Sequence, residues 1–442
     1  MLTNARTTLL ILGDIISLYL ALVFTVLIRY GLKSIPESFS SHFYPFSIIF
    51  ILWLIVFYIF DLYLPKAYKN RLQLARLWSG AILVGFLISI ITFYVFGSFF
   101  QLTPKTNLII FTILFGIIGF FWRVLYISFT KSRKWQTQIA IIGNSKNLEE
   151  ALSTINNNPG HGYHSEFWIK DLSEINNKAL LNKIQNEKIE LIVIHPSILK
   201  NSNSVDNLSD LLLPSGIRLV SFTDFFEEIF RKAPLEDLDW AWFLENNSSN
   251  KFYTSTKRFF DFALALILLI VLSPLFIIIS FLLKISSPGP IIFKQVRVGY
   301  RGKHFTLYKF RTMVQDAEKD GAKWAVKNDS RVTSLGKFLR HSHLDEIPQL
   351  WNILCGKLSF VGPRPERPEF TKDLRNDIPY YDMRNIVQPG LTGWAQVNYR
   401  YGASVEDAKE KLKYELYYIK NHSFVLDLLT ILKTTRMIFK NH

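Results

Sequence analysis

Long apolar stretches constrain this chain more than any other feature. Four of them, at residues 8–28, 43–60, 78–100 and 106–129, lie in the first third of the chain. Each is close to the roughly 20 residues that a helix needs to cross a bilayer. The composition agrees, because 49% of the 442 residues are hydrophobic. The sequence therefore predicts a four-helix transmembrane domain over residues 1–135.

Basic residues predict how this domain is oriented, because loops on the cytoplasmic side carry more Lys and Arg. They crowd the loop between the second and third stretches and the segment after the fourth: Lys66, Lys69, Arg71, Arg76, Lys131, Arg133 and Lys134. Both ends of the four-span domain are then cytoplasmic, and the rest of the chain begins in the cytosol. Within the first stretch, Asp14 is costly in lipid and is expected to make a polar contact inside the bundle.

The composition becomes that of a soluble protein after the fourth stretch. Short apolar runs such as "TQIAIIG", "IELIVIH" and "IRLVSF" alternate with helical patterns, which predicts a parallel α/β, Rossmann-like domain over residues 136–235. Only Gly143 stands in its first turn, so the glycine pattern of a dinucleotide site is missing. A structural or regulatory module is favoured over nucleotide binding. The Asn- and Ser-rich segment that follows predicts a linker over residues 236–256.

A fifth apolar segment has the length of a span but is not expected to cross. It consists of the uncharged residues between Asp261 and Lys284, with basic residues on both flanks, so a crossing would leave one basic flank outside. Ser273 and Pro274 stand at its centre, where proline can break a helix. We expect a re-entrant helix over residues 259–284 that enters and leaves on the cytoplasmic face, and an ordinary kinked span is the alternative.

The formal net charge of +15 favours a polyanionic partner. Many of the cations lie in residues 286–313 among aromatic residues, a pattern that RNA-binding proteins also show. The aromatic signature of RNA-recognition domains, the helix-turn-helix pattern and zinc-finger spacings are absent, however. We therefore expect no nucleic acid partner, and instead anionic headgroups or phosphate-bearing substrates.

An acidic pair within this basic region carries the chemistry. Asp345 and Glu346 stand just before a predicted helix, with Arg340 upstream and Arg364 between two prolines downstream. A carboxylate pair suits Mg²⁺, which takes one or two carboxylates together with substrate phosphates. Cations around such a site are typical of enzymes that transfer phosphoryl groups, because they neutralise the phosphate charge. A carboxylate can act as the nucleophile in such a reaction. The alternative is that Asp345 only caps the helix.

The region of residues 251–440 resembles the bacterial sugar transferase family, the monotopic polyprenyl-phosphate phosphoglycosyl transferases. The resemblance rests on ordered motifs: "KRFFD", the central Ser273–Pro274, "FKQVRVG", "YKFRTM", "NDSRVTSLGKFLR", "LDEIPQLWNIL", "SFVGPRP" and "PGLTGWAQVNYRYG". The whole layout is similar to the long-form members. It implies a four-span helical bundle, a Rossmann-like α/β domain and an α+β catalytic domain over residues 257–442 with a re-entrant helix.

The resemblance also implies a reaction in the bacterial inner membrane. A sugar 1-phosphate passes from a UDP-sugar to undecaprenyl phosphate with release of UMP, as the first membrane step of exopolysaccharide, capsule or O-antigen synthesis. Asp345 would attack the β-phosphorus to give a covalent aspartyl intermediate, and Glu346 would hold Mg²⁺. Arg340, Arg364, Lys309 and Arg311 match positions that bind phosphates or build the site.

Two features depart from the family pattern. Asp329 and Arg331 flank Ser330, where the family has Asp-Pro-Arg, and they would bind the nucleotide or build the site. His343 takes a position where serine or threonine is usual, and a structural role is expected for it. The resemblance favours glucose or galactose as the sugar and a homodimer formed through the membrane and α/β regions.

Two other functions were weighed. A membrane nucleotide-sugar dehydratase or epimerase needs Tyr-x-x-x-Lys, and the match at Tyr253 and Lys257 lies in the predicted linker, far from a glycine fingerprint. A non-catalytic scaffold for polysaccharide assembly would have no need of the acidic pair, which is present. Phosphoglycosyl transfer is therefore the predicted function.

Overall fold

A computed structural model describes most of the chain. The described residues are 2–32, 35–64, 71–100, 105–132, 135–170, 177–199, 216–239, 242–243, 251–315, 317, 329–399, 402 and 404–440. The basic loop residues Lys66 and Lys69 lie outside this part, as do Arg133 and Lys134. The chain forms two compact units, Met1–Ile229 and Phe230–His442.

Within the described residues, four helices of the first unit are long and apolar enough to span a membrane. Together with one short helix they are α1 (Leu2–Tyr30), α2 (Ile35–Ile59), α3 (Arg71–Val95), α4 (Gly97–Phe100) and α5 (Lys105–Lys131). The predicted four-span domain is confirmed as four apolar helices. The third apolar stretch, at residues 78–100, is divided between two helices, because α3 ends at Val95. Gly97, the poorest helix former after proline, begins a separate turn.

Aromatic side chains fill the bundle, and one ion pair lies among them. Trp53 packs edge-on against Phe115 and donates a hydrogen bond to Ser89 Oγ at 2.8 Å. Asp14 and Arg123 are both fully buried and meet at 2.7 Å, so the polar contact expected of Asp14 is present. A lone charge in lipid is costly, so each of the two charges requires the other. The pair therefore holds α1 and α5 together at this position.

A parallel sheet of four strands follows the bundle in the described part of the first unit, in the order β2-β1-β3-β4. Its elements are β1 (Thr137–Ile142), α6 (Lys146–Asn157), β2 (Tyr163–Ile169), α7 (Asn177–Asn186), β3 (Leu191–Ile194), α8 (Pro196–Leu199), β4 (Arg218–Ser221) and α9 (Phe222–Phe230). Ile139 lies opposite Leu191. The central strands are buried, β3 along its whole length and β1 at every residue but Gln138, as parallel strands are. The sheet agrees with the predicted α/β region, and its Rossmann-like character stays a prediction.

The second unit begins its membrane-facing part with two helices that meet at a bend of 60°. These are α10 (Lys251–Val271) and α11 (Ser273–Ser286). Ser273 Oγ donates to the carbonyl of Ile270 at 2.7 Å, because Pro274 cannot supply its own backbone donor. The break is therefore where the sequence predicted it.

Short strands and helices complete the second unit. They are β5 (Ile292–Val298), β6 (His304–Phe310), α12 (Ser334–His341), α13 (Gln349–Leu354), β7 (Ser359–Val361), α14 (Pro368–Asp377), β8 (Gly390–Thr392), α15 (Trp394–Asn398), α16 (Val405–Asn421) and α17 (Phe424–Lys440). Strands β5 and β6 form an antiparallel hairpin, while β7 and β8 pair in parallel. This mixture of helices and small sheets fits the α+β prediction.

The predicted linker is shorter than residues 236–256. Trp242 and Phe243 are buried against Leu412 and Leu416 of α16, and α10 already begins at Lys251. The first turns of this helix are polar in sequence, and their Tyr253 and Lys257 bind Asp427, far along the chain. The linker residues 240–241 and 244–250 lie outside the described part.

Candidate active site

The acidic pair lies on a tight turn between two helices. A 3-10 turn of Leu344–Glu346 connects α12 to α13, and His343 enters it with a left-handed φ of 55°. Pro348 caps α13, where its missing donor costs nothing. His343 is exposed and sets the backbone of the turn, in agreement with the structural role expected for it.

Asp345 is a buried carboxylate whose oxygens accept no hydrogen bond within the described residues. Only 7% of the residue is exposed, and Lys309 Nζ lies 4.0 Å from its nearer oxygen. Burial raises the pKa of Asp345, and the charge of Lys309 opposes that rise. A carboxylate in this state keeps its lone pairs available for a reaction.

Glu346, by contrast, is held by two cations. Its Oε1 accepts from Lys309 Nζ at 2.7 Å and from Arg364 Nη2 at 2.6 Å. Burial alone would raise the pKa of Glu346, but Arg364 and Lys309 outweigh it and lower this pKa well below its usual range. The acidic pair is thus one ionised carboxylate held by two cations beside one that accepts no hydrogen bond from the part of the chain that the structure describes.

Two arginines predicted for phosphate binding approach this turn from different elements. Arg364 follows β7 and also donates to the carbonyl of Leu391 at 3.2 Å. Arg340, on α12, donates from Nε to Thr312 Oγ1 at 2.8 Å. Its two terminal nitrogens have no partner in the described part of the chain, and its charge acts on Asp345. The structure therefore brings Lys309, Arg340 and Arg364 together around the acidic pair.

Arg311 does not join this group. It is buried, with 7% of the residue exposed, and donates at 2.8 Å to the carbonyls of Pro288 and Ser287. Gly289 lets the guanidinium approach, because a side chain there would collide with it. These contacts brace the loop after α11 and give no support to the predicted phosphate contact, which stays a prediction.

Asp329 and Arg331 bind each other. Arg331 donates from Nε and Nη2 to the two carboxylate oxygens of Asp329 at 2.9 and 2.6 Å, and these bonds lower the pKa of Asp329 to about 2. Arg331 also donates to the carbonyl of Ala317 at 3.0 Å. The pair braces the chain just before α12, and its predicted role in building the site or binding the nucleotide stays a prediction.

Several residues that support the site lie in the motifs "KRFFD" and "SFVGPRP", but the sequence alone assigned them no individual role. Asp261 of α10 accepts from Ser359 Oγ of β7 at 2.7 Å. Arg258, also on α10, donates to the carbonyls of Ile353 and Leu354 at the end of α13. These contacts fix α10 to two elements that follow the acidic pair in the chain, α13 and β7.

The Tyr253 and Lys257 match to a dehydratase motif also has a structural explanation. Both side chains donate to Asp427 Oδ2 of α17 at 2.7 Å. Tyr418 donates to the other oxygen of the same carboxylate at 2.7 Å. The pair therefore anchors α10 to α17, which leaves the dehydratase reading without a catalytic pair.

The acidic pair fits Mg²⁺ as a site that is completed by a substrate. No group of three or more metal-ligating side chains occurs in the described residues, so a closed protein cage is absent there. Glu346 Oε2 and both oxygens of Asp345 accept no hydrogen bond in this part of the chain. Two carboxylates with open oxygens suit a metal that takes its other ligands from phosphates and water.

Comparison with known proteins places these motifs in a family. Residues 252–441 match the family model described as bacterial sugar transferase. The chain is 44% identical over 186 residues to a UDP-N-acetylgalactosamine-undecaprenyl-phosphate N-acetylgalactosaminephosphotransferase of Aeromonas hydrophila, covering 42% of this chain and 44% of that protein. It is 41% identical over 187 residues to a UDP-glucose:undecaprenyl-phosphate glucose-1-phosphate transferase of Klebsiella pneumoniae, covering 42% and 40%.

These alignments span less than half the length of the two relatives. A shorter relative is covered almost completely: the exopolysaccharide production protein PSS of Rhizobium leguminosarum bv. phaseoli is 39% identical over 184 residues, which are 40% of this chain and 92% of that protein. All three matches have the length of the C-terminal region that carries the acidic pair. The chain therefore belongs to the bacterial sugar transferase family.

Proposed function

We propose that this protein is a phosphoglycosyl transferase that moves a sugar 1-phosphate from a UDP-sugar to undecaprenyl phosphate and releases UMP. The observation that carries the proposal is the state of Asp345, a buried carboxylate that accepts no hydrogen bond from the described residues, beside the clamped Glu346. The names of the Aeromonas and Klebsiella relatives support the same substrate classes.

The proposed chemistry uses Asp345 twice. Its carboxylate attacks the β-phosphorus of the UDP-sugar, a new carboxyl–phosphorus bond forms, and the bond from that phosphorus to the bridging oxygen breaks and releases UMP. A phosphate oxygen of undecaprenyl phosphate then attacks the same phosphorus and expels the carboxylate. Two displacements thus regenerate Asp345 and leave a diphosphate-linked sugar on the lipid.

The surrounding cations suit these displacements. Lys309 and Arg364 already neutralise Glu346, while the terminal nitrogens of Arg340 face no partner within the described residues and are available to phosphate oxygens. Positioning and charge neutralisation supply most of the rate enhancement in phosphoryl transfer. Mg²⁺ held at Glu346 would add neutralisation of the diphosphate charge.

The bent helix pair supports a site at the membrane surface. We infer that α10 and α11 enter and leave on the cytoplasmic face, because the break is satisfied by Ser273 and basic residues lie on both flanks. The lipid substrate carries its phosphate at that surface, where the water-soluble UDP-sugar also arrives. The catalytic unit is then cytoplasmic, on an inner membrane protein of several spans.

Cysteine labelling tests this topology. Cys355 is exposed, so it is first replaced in Cys355→Ser. Pro290→Cys and Lys420→Cys are then introduced singly and treated in intact cells with a thiol reagent that does not cross the membrane. We expect labelling only after lysis. Labelling of either cysteine from outside would overturn the re-entrant arrangement.

The sugar must be found by assay, because the relatives act on different ones. The Aeromonas relative is named for N-acetylgalactosamine and the Klebsiella relative for glucose. Purified protein with undecaprenyl phosphate and Mg²⁺ is therefore offered a panel of UDP-sugars, and UMP release is measured. We expect one donor to dominate, and release with none of them would overturn the proposed function.

Asp345→Asn tests the nucleophile. The variant keeps the size of the side chain but lacks the charge, so we expect loss of both UMP release and the covalent phospho-sugar adduct seen by intact-protein mass spectrometry. Asp373→Asn, at an exposed position of α14, is the matched control and should behave as wild type. Transfer by Asp345→Asn at a rate near wild type would exclude the assigned role.

A further inference from the structure

The turn that carries Arg364 is held by hydrogen bonds to every one of its carbonyls. The four successive carbonyls of residues 363–366 each accept one bond, of 2.8 to 2.9 Å. The donors are, in chain order, Gly390 N–H, Arg384 Nη2, Arg297 Nη1 and Val298 N–H. A turn satisfied in this way presents its central side chain from a fixed backbone.

Arg384 is the more buried of the two arginines in this set of donors. Only 6% of it is exposed, and Nη2 contacts both the carbonyl of Arg364 at 2.8 Å and Glu415 Oε1 at 2.7 Å. Its Nη1 donates to the Tyr381 hydroxyl at 2.6 Å. Glu415 lies on α16 and is 4% exposed. The planar guanidinium thus joins the turn to α16 in one fixed geometry.

We propose that Arg384 is a positioning residue for the phosphate-binding guanidinium of Arg364. The inference rests on the proposed function, since it assigns Arg364 to the diphosphate of the UDP-sugar. Arg384 acts through the backbone carbonyl of Arg364 and not through the substrate. A displacement of about 1 Å at a site of this kind can cost roughly a hundredfold in rate, so loosening the turn affects catalysis without removing any group that touches the phosphates.

A purely structural role would look different. The Arg384–Glu415 pair could serve only to attach α16, as the neighbouring Lys232–Glu410 pair does at 2.7 Å. Loss of either pair would then lower thermal stability and leave the kinetics of correctly folded protein unchanged. Lys232→Met is therefore the matched control. It removes the ion pair with Glu410 of α16, and neither residue of that pair contacts the turn of residues 363–366 through a hydrogen bond in the described part of the chain.

Arg384→Lys is the test variant. It keeps the positive charge beside Glu415, but a single ammonium cannot keep the planar contacts with the carbonyl of Arg364, Glu415 and Tyr381 together. We expect kcat/KM for the UDP-sugar to fall roughly 10- to 100-fold, while Lys232→Met loses stability and retains wild-type kinetics. Wild-type kinetics in Arg384→Lys would overturn the proposal.

A double-mutant cycle separates positioning from other effects. If Arg384 acts through Arg364, then Arg384→Lys should lower kcat/KM little further once Arg364→Ala is present, because residues in one network are not additive. Equal loss in both backgrounds would refute the coupling. If Arg384→Lys fails to fold, Tyr381→Phe is used instead, because it removes only one acceptor of Arg384. We expect Tyr381→Phe to lower kcat/KM by a smaller factor, and to lower it little further in the Arg364→Ala background. An equal loss of kcat/KM in both backgrounds, or no loss in either, also overturns the proposal.

The failure of this inference is distinguishable from failure of the proposed function. Wild-type protein that releases UMP from no UDP-sugar would overturn the function itself. Active wild-type protein with an unaltered Arg384→Lys variant would overturn the positioning role alone.

Discussion

Replacing Glu346 by glutamine should cost the catalytic unit both stability and activity. Glu346 accepts two short hydrogen bonds from cations, and its side chain is 14% exposed. Glutamine has nearly the same shape and keeps one oxygen, so the change removes the charge and little else. Lys309 and Arg364 then face each other across a neutral group.

The size of the effect follows from the two bonds. A hydrogen bond to a charged group contributes about 1.5–3 kcal/mol. Lys309 and Arg364 stay charged in the variant, so a bond between two charged groups lies at the upper end of this range and a bond from a cation to the amide oxygen lies at its lower end. The difference is about 1–1.5 kcal/mol for each bond and about 2–3 kcal/mol for the two. For a unit of this size about 1 kcal/mol corresponds to roughly 2–4 °C, so we expect Glu346→Gln to unfold about 5–10 °C below wild type.

The pH dependence gives the sign of the electrostatic part. Because the pKa of Glu346 is lowered in the folded state, its ion pairs stabilise the protein above the unfolded-state pKa of about 4.3 and lose this effect as the pH falls through the folded-state pKa. Glutamine does not titrate. The difference in melting temperature between wild type and Glu346→Gln should therefore be largest at pH 7 and should decrease as the pH falls below about 4.

Thermal unfolding of the detergent-solubilised proteins, followed by intrinsic fluorescence from pH 3.5 to 7.5, measures this difference. Asp382→Asn is the control, because its ion pair with Arg375 lies at the surface, with the two side chains 56% and 46% exposed, and such pairs contribute at most about 1 kcal/mol. A Glu346→Gln variant as stable as wild type, or a difference that does not change with pH, would refute the electrostatic argument.

Three further perturbations test other parts of the molecule. Lys309→Met removes the charge that opposes the rise in the Asp345 pKa, so the acid limb of the kcat/KM–pH profile should move to higher pH; a shift to lower pH would contradict it. Pro274→Ala should straighten the bent helix pair, and unchanged cysteine labelling and activity would count against the re-entrant arrangement. Asp14→Leu leaves Arg123 buried without its carboxylate and should destabilise the bundle by about 3–5 kcal/mol, read as a lower melting temperature; Asp14→Leu with Arg123→Leu should recover much of it.

The sequence predicted the parts of the fold that local patterns determine. Apolar stretches of span length predicted the four helices, because every backbone polar group in the lipid core needs a hydrogen bond within its own segment. The fourth stretch, expected at residues 106–129, is helical over Lys105–Lys131. Alternating apolar runs likewise predicted parallel strands, and the break at Pro274 follows from the chemistry of proline alone.

The sequence could not predict which distant groups meet. Arg311 stands in a basic run and resembles a phosphate ligand, yet its guanidinium binds loop carbonyls of Ser287 and Pro288. The start of α10 reads as a linker because it is polar, yet Tyr253 and Lys257 reach a carboxylate 174 and 170 residues away. A single sequence contains no information on such pairings, since they depend on how the elements pack.

Hydrogen bonding, and not burial, distinguishes the proposed nucleophile, Asp345, from the other buried carboxylates. Among the described residues of 251–440, five acidic residues are less than a tenth exposed: Asp261, Asp329, Asp345, Glu415 and Asp427. Four of them accept short bonds, from Ser359, Arg331, Arg384, and the trio of Tyr253, Lys257 and Tyr418. A carboxylate whose lone pairs are occupied stabilises the fold and attacks poorly. Asp345 accepts none within these residues, and the charges of Lys309 and Arg340 oppose only part of the cost of its burial. We expect the approach of the substrate phosphorus, with the cations that accompany it, to offset more of that cost.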